Sequence, residues 1–354
     1  MRVITLLFAL VFSTMLTAAA GAETLNLLTW KGYAPDNLVK KFEQETGIEV
    51  KVTYTNNEEM IAKLRATRGG GFDLAQPSQD RIAGPQKAYK IYGPIDLSQV
   101  KTGQFIGSML EATKKNTTVN GKVYGLPHVW GTSGLIVNTK EASGASDYLD
   151  LCNHDYHGRI SYRLKRPTLV AFAFSMGEDP FEAVKDKARY QKLMNKVGDK
   201  LISCKIHAKN YYTNGDALLS SIISGEVTLA MAWDNGGWKL TKENPAIQFI
   251  APKSGALGWV DTFALTAKSK NTDAAYKWIN FMLRPKNAAS FTNQENYFTA
   301  SKGADAHVKK ELAELYQQSF PQAAIDNIKW YPPIDTWAEE IEGNILEKVK
   351  AAGG

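Results

Sequence analysis

Residues 25–54 read LNLLTWKGYAPDNLVKKFEQETGIEVKVTY, and this stretch decides the fold. Its first residues, 25–29, form a short apolar run that predicts a β-strand. From Pro35 the apolar residues recur at helical spacing, and the helix is predicted to end at Gly47. From Ile48 onward apolar and charged residues alternate, which is typical of a second strand. The stretch therefore predicts a β-α-β unit, from which parallel sheets are built.

The same alternation of helices and strands is predicted along the rest of the chain. The predicted elements are a helix around Met60, a turn at Gly69–Gly71 and a strand at 73–75, a helix capped by Asp216 and a strand over 227–233, a strand over 262–267, a helix capped by Thr272-Asp273, and an amphipathic helix from Asp335. Because 354 residues exceed what one hydrophobic core usually serves, we expect two α/β lobes.

The N-terminus is predicted to be a cleaved signal peptide covering residues 1–22. Arg2 supplies a positive charge, residues 3–16 are mostly apolar, and Ala20-Gly21-Ala22 forms a cleavage site. The alternative, an anchoring helix, is disfavoured because the apolar run is short for a bilayer. The mature chain would begin at Glu23 and be secreted to a bacterial periplasm.

The net charge and the cysteines narrow the possible partners. The formal charge of +6 is small and interspersed, so no nucleic-acid partner is expected. In an oxidising compartment Cys152 and Cys204, the two cysteines of the chain, are expected to form a disulfide. The alternative is a pair of buried free thiols.

Aromatic and acidic residues cluster at the ends of the predicted strands, where open α/β sheets bind ligands. The candidates are Trp30 and Tyr33 after the first strand, Ser78 and Asp80 after the third, Trp233 and Asp234 after the strand at 227, Trp259 and Asp261 just before the strand at 262, and Tyr297. Any one of these aromatics could be a core residue. Together, aromatic faces and carboxylates form a box suited to an organic ammonium ion.

Several of these residues lie in motifs that resemble those of periplasmic polyamine-binding proteins, the receptors of ABC importers for putrescine and spermidine. The similar motifs occur in order over nearly the whole mature chain: WKGY (30–33), ETGIEV (45–50), FDL (72–74), PS (77–78), YGLP (124–127), WGT (130–132), GEV (225–227) with Trp233, WVD (259–261) and INFMLRP (279–285). No single motif is strong, but the ordered set is fairly specific.

The resemblance implies a two-lobed periplasmic binding protein fold of type II. Each lobe would be a mixed, mainly parallel sheet flanked by helices, with hinge crossovers near 130–133 and 255–259. The implied lobes are 23–131 with 260–302, and 132–259 with 303–354. A ligand would bind between them and close the hinge.

The resemblance also implies roles for individual residues and partners. Trp30 and Tyr33 would flank the ligand, Trp233 would stack on it, Asp261 would hold one amine, and Ser78, Trp259 and Tyr297 would line the site. A membrane permease and its ATPase would recognise the closed form of a monomeric receptor that has no cofactor and no enzymatic activity.

One segment departs from the family. Where polyamine receptors carry acids for the second amine, this chain has Tyr162-Arg163-Leu164-Lys165-Arg166. Arg163 and Lys165 would repel a second ammonium, so an amine/acid ligand such as an amino acid, an amino-acid conjugate or an aminophosphonate is the alternative. Asp80 could compensate for the missing acids, and a solvated basic turn is equally compatible with the sequence.

Other chemistries have weaker support. His154-x-x-His157 has no third ligand at a diagnostic spacing, so no metal site is expected. Gly69–Gly71 lacks the ending of a phosphate loop, and no nucleophile motif occurs. A secreted enzyme such as a lyase is the alternative from a different class.

Overall fold

The computed structural model describes residues 23–352. The predicted signal peptide, 1–22, lies outside the described residues. Within 23–352, no helix combines the length and the apolar character needed to cross a membrane.

The described part alternates strands and helices. The strands are β1 Thr24–Thr29, β2 Glu49–Tyr54, β3 Leu74–Ala75, β4 Thr118–Val119, β5 Lys122–Val123, β6 Leu126–Asn138, β7 Ile160–Tyr162, β8 Ala208–Tyr211, β9 Leu229–Trp233, β10 Ile247–Ile250, β11 Leu257–Leu265, β12 Phe298–Thr299 and β13 Lys329–Trp330. The helices are α1 Asp36–Thr46, α2 Asn57–Ala66, α3 Ala83–Tyr89, α4 Gly107–Thr117, α5 Arg166–Ser175, α6 Pro180–Ala183, α7 Lys187–Cys204, α8 Gly215–Ile223, α9 Asp234–Glu243, α10 Thr272–Met282, α11 Pro285–Glu295, α12 Lys310–Ser319, α13 Gln322–Asp326 and α14 Thr336–Ala351.

The first predicted β-α-β unit is confirmed. Strand β1 pairs in parallel with β2 on one side and with β3 on the other. Helix α1 buries Leu38 and Phe42 against this sheet, as the helical spacing predicts. Gly47 ends α1 in the left-handed conformation, φ 71°, which glycine adopts without a steric penalty.

The main sheet is mixed, with strands in the order β2-β1-β3-β11-β6-β9-β7-β8. Strands β7, β8 and β9 form a second parallel group. The long strands β6 and β11 pair antiparallel between the two parallel groups. The carboxyl ends of both parallel groups can therefore face a common cleft beside β6 and β11.

Three local predictions are wrong in detail. Residues 258–261 do not precede a strand but lie inside β11, which starts at Leu257. Helix α8 is capped by Asn214 rather than Asp216, because the Asn214 side chain accepts a hydrogen bond from the backbone N–H of Ala217. Helix α10 follows Asn271, not a Thr-Asp cap.

Two lobes are distinguished by their hydrophobic cores. The cores of the first lobe draw residues from 25–129 and 263–300. The cores of the second lobe draw residues from 135–257 and 312–349. Strand β6 contributes Val129 to the first lobe and Leu135 to the second, so one continuous strand passes through both.

Cys152 and Cys204 form a disulfide in the second lobe, with their Cα atoms 4.7 Å apart. The bond ties the turn before β7 to the end of α7 and spans 52 residues of chain. A loop of this length restricts the unfolded chain strongly, because fewer extended conformations remain open to it.

We expect the double variant Cys152→Ala/Cys204→Ala to lose about 2–4 kcal/mol of unfolding free energy, because the unfolded chain regains its loop entropy. Guanidinium chloride denaturation of the oxidised protein and of the double variant measures the difference. Reductant should shift the wild-type midpoint toward that of the variant. A wild-type midpoint that reductant leaves unchanged would contradict the structural role.

Candidate functional site

Asp261 lies at the centre of the candidate site. Its two carboxylate oxygens accept hydrogen bonds from the Tyr33 hydroxyl, at 2.6 Å, and the Ser78 hydroxyl, at 2.5 Å. Asn57 donates to Ser78 Oγ at 2.9 Å and so orients that hydroxyl. The register of β11 against β6 shifts between Asp261 and Thr262, and such irregularities re-aim side chains near functional sites.

The charge of Asp261 is not balanced by the protein. Its side chain is 4% exposed, and its hydrogen-bond partners are two neutral hydroxyls. Throughout residues 23–352, no basic side chain forms an ion pair with it. Burial therefore raises the pKa of Asp261 to about 7, although the bonds from Ser78 and Tyr33 act against that shift.

Aromatic rings surround this carboxylate. Tyr33 makes edge contacts with Tyr297 and with His128, at ring-centroid distances of 5.8 and 5.9 Å. Trp259 contacts Tyr297 at 5.5 Å. Burial lowers the pKa of His128 to about 3, so this imidazole is neutral and packs as a ring. We call Tyr33, Ser78, Trp259, Asp261 and Tyr297 the amine cluster.

A second buried carboxylate, Asp234, lies beside the amine cluster. It is the first residue of α9 and accepts hydrogen bonds from Thr132 N, at 2.7 Å, and Thr132 Oγ1, at 2.9 Å. Burial raises its pKa to about 7 against these bonds. A Cβ at Gly131 would lie 2.7 Å from the Trp259 ring and 3.1 Å from Asp234 Oδ1, so only glycine lets both approach β6.

The second lobe contributes Trp233 and Arg163. The Arg163 guanidinium lies over the Trp233 ring, 4.2 Å from its centroid. Tyr212 makes an edge contact with Trp233 at 6.1 Å. A cavity of about 10 Å³, the size of one water molecule, lies between these three side chains and Ser133.

Three other candidates lie outside the amine cluster. Trp30 is half-buried, and its indole N–H donates to the Gln76 carbonyl at 2.9 Å. Lys165 is exposed and pairs with Glu58 of the first lobe at 3.3 Å. Asp80 lies close enough to raise the pKa of Asp261, but its own charge is already balanced.

Asp80 belongs to a buried ion network that joins the lobes. Arg166 Nη1 contacts Asp80 at 2.6 Å, and Arg166 Nε contacts Glu342 at 3.1 Å. The Tyr190 hydroxyl donates to Glu342, and Arg81 pairs with Glu339 at 2.6 Å. The charges of these groups balance one another, so Asp80 has basic partners within the protein. Of the two neighbouring carboxylates Asp80 and Asp261, only Asp261 lacks a basic partner among residues 23–352.

Three contributing residues were not assigned a role from the sequence. Asn57 supports Ser78 from the carboxyl end of β2, where the strand-end rule could have found it. His128 makes an edge contact with Tyr33, and its Nδ1 accepts a hydrogen bond from Gln76 Nε2 at 2.6 Å. Tyr212 lies against Trp233, and no local pattern in the sequence indicates that contact.

The histidine motif lies elsewhere. His154 and His157 are on the surface beside His207, with ring centroids 5.6–6.1 Å apart. In the described part of the chain, no group of three or more His, Cys, Asp or Glu residues is arranged to hold a metal ion.

Comparisons with known proteins agree with this architecture. The family model of the bacterial extracellular solute-binding proteins matches residues 37–317. The chain belongs to this family. The spermidine/putrescine-binding periplasmic protein 1 of Haemophilus influenzae is 30% identical over 309 residues, which cover 85% of this chain and 82% of that protein.

A second sequence relative and a solved structure also resemble this chain over most of its length. The putrescine-binding periplasmic protein PotF of Escherichia coli is 26% identical over 91% of this chain and 87% of its own length. A solved structure described as a putative spermidine/putrescine ABC transporter from Listeria monocytogenes superposes with a TM-score of 0.81. It is 24% identical and covers 94% of this chain and 100% of that chain. The predicted two-lobed binding-protein fold is therefore confirmed.

We expect Asp261 to make the ligand-free protein less stable as the pH rises from about 4 to 7. In this window the unfolded state has released a proton that folded Asp261 retains, so the unfolding free energy falls by about 3–4 kcal/mol in all. Chemical denaturation at pH 5 and pH 8 should show a smaller fall for Asp261→Asn than for wild type. Equal falls in the two proteins would contradict an unpaired buried carboxylate.

Removing the charge of Asp80, in contrast to that of Asp261, should lower the stability of the protein at pH 7. Asp80→Asn removes one of the two carboxylates that pair with the buried Arg166 and leaves Glu342 in place, and we expect a loss of about 1–3 kcal/mol of unfolding free energy at pH 7. Thermal and chemical denaturation measure this loss. A variant as stable as wild type would show that the ion network is not structural.

Proposed function

We propose that this solute-binding protein is the receptor of an ABC importer for a small amine-bearing ligand, of the polyamine class that includes putrescine and spermidine. The single observation that carries the proposal is Asp261, a buried carboxylate held by two neutral hydroxyls and surrounded by aromatic rings. A ligand ammonium would supply the missing positive charge and donate the hydrogen bonds that the hydroxyls leave open.

The aromatic rings contribute to binding as well as to packing. Tyr33, Trp259 and Tyr297 present ring surfaces around Asp261, and such faces attract an ammonium group and exclude water. In a water-poor site the attraction between the carboxylate and the ammonium is stronger than at an exposed surface. The polyamine-binding activities named for the curated relatives support the same ligand class.

Hinge closure would couple binding to transport. We propose lobe boundaries at 23–131 with 260–302, and 132–259 with 303–354, and hinge segments in β6 and β11. Two contacts between the lobes would form as they close. One is the ion pair of Lys165 with Glu58, at 3.3 Å, and the other is the hydrogen bond that Asn235 Nδ2 donates to the Glu295 carbonyl, at 3.2 Å. The ligand stabilises the closed state because it binds that state more tightly than the open one.

The remaining assignments belong to the same proposal. The sequence pattern over 1–22 supports a signal peptide that would deliver the protein to the periplasm, where it would act as a monomer. A permease and its ATPase would recognise the closed form, and the ligand would be released unchanged. Binding of one equivalent of ligand without formation of any product would support this role over that of a secreted lyase.

We expect Asp261→Asn to weaken the binding of an amine ligand at least tenfold, because the variant keeps the size of the side chain but removes the charge and one of its two hydrogen-bond acceptors. Calorimetric titration of wild type and variant with putrescine and spermidine at pH 8 measures the effect. The control is Asp305→Asn, which changes an exposed aspartate in the same way. Equal affinities of wild type and Asp261→Asn would overturn the amine site.

A further inference from the structure

Arg163 is brought to the same cleft by the topology of the second lobe. It directly follows β7, and Trp233 is the last residue of β9. These two strands are parallel neighbours in the sheet. Both residues therefore leave the sheet at its carboxyl edge, where ligands of α/β folds bind.

The guanidinium of Arg163 has no acidic partner, unlike the basic residues that follow it. Lys165 pairs with Glu58, and Arg166 pairs with Asp80 and Glu342, whereas no carboxylate in residues 23–352 forms an ion pair with Arg163. The guanidinium instead lies on the Trp233 ring and lines the small cavity that it shares with Ser133.

This arrangement is unfavourable for the second ammonium of a diamine. One face of the Trp233 ring is already covered by the guanidinium, 4.2 Å from the ring centroid. An ammonium placed there would also meet a like charge at short range. A carboxylate would instead be held by the guanidinium fork and by the Ser133 hydroxyl.

Three charged groups of the site, Asp234, Asp261 and Arg163, act on the same residue, Tyr297. Burial raises the pKa of Tyr297, the negative charges of Asp234 and Asp261 raise it further, and the positive charge of Arg163 lowers it. The carboxylates and the guanidinium therefore lie within electrostatic reach of the same phenol. The Trp259 indole N–H is also buried without an acceptor in the described residues, and a carboxylate can accept from it whereas an ammonium cannot.

We propose that the ligand is a short zwitterion, an ω-amino carboxylate whose ammonium binds Asp261 and whose carboxylate binds Arg163. This assignment rests on the proposed receptor for an amine-bearing ligand, and among amine-bearing ligands it favours amino carboxylates over polyamines. It pairs the ligand ammonium with Asp261 of the first lobe and the ligand carboxylate with Arg163 of the second, and these two protein groups form no ion pair within residues 23–352.

The test compares ligands that differ at one end only. Putrescine and 4-aminobutanoate have chains of four carbons, and cadaverine and 5-aminopentanoate have chains of five. Titration calorimetry should show at least tenfold tighter binding of the amino acid than of the diamine in at least one pair. Arg163→Gln should weaken the binding of the amino acid at least tenfold and should leave the binding of the diamine unchanged or make it tighter. Arg163→Glu should make the protein bind the diamine more tightly than the amino acid.

Controls separate this inference from the proposed function. Arg189→Gln, which changes an exposed arginine of α7, should leave every affinity unchanged, and melting curves should show that each Arg163 variant is folded. The zwitterion proposal would be overturned if each diamine bound more tightly than its matching amino acid and Arg163→Gln changed neither affinity. The proposed amine receptor would still stand if Asp261→Asn weakened the binding of the diamine. If none of the four probes binds at millimolar concentration and spermidine does not bind either, both proposals fail.

Discussion

The account depends on one electrostatic constraint, a buried carboxylate whose charge the protein does not balance. Asp261 is as deeply buried as Asp80, and the two lie within electrostatic reach of each other. Asp80 faces Arg166, whereas Asp261 faces two hydroxyls. Asp80 is paired with a basic side chain of the other lobe, whereas Asp261 has no basic partner among residues 23–352. In our proposal, Asp80 therefore serves the structure and Asp261 binds a cation from outside.

The fold supplies this constraint through two strands. Strands β6 and β11 pair between the parallel groups and carry residues of both lobes' cores. Strand β6 carries Thr132, and β11 carries Trp259 and Asp261, so these residues lie at the boundary between the two lobes. The glycine at position 131 allows Trp259 and Asp234 to approach that boundary closely. The binding groups are thus held by strands that continue into both cores, so a change in their pairing would affect both the hinge and the site.

Much of this could be predicted from local patterns. Helical and alternating spacing around residues 25–54 correctly predicted the first β-α-β unit, because such patterns reflect which face is buried. Tyr33, Ser78 and Asp261, three of the residues that the sequence pattern selects near strand boundaries, are hydrogen-bonded neighbours. The sequence pattern does not distinguish Asp80 from Asp261, because Asp80 pairs with Arg166, which lies 86 positions away in the chain. The pattern also places 258–261 just before a strand, whereas these residues lie inside β11. Long-range pairing of charges has no local signature.

The most direct measurement of the central claim is the number of protons exchanged on binding. At pH 6 Asp261, with a pKa of about 7, is mostly protonated in the free protein, and a bound ammonium would drive it to ionise. Titration calorimetry with an amine ligand in buffers of different ionisation enthalpy should show close to one proton released at pH 6 and none at pH 9. The release should be lost in Asp261→Asn. Proton uptake, or no exchange at pH 6, would contradict a binding site built on an unpaired buried carboxylate.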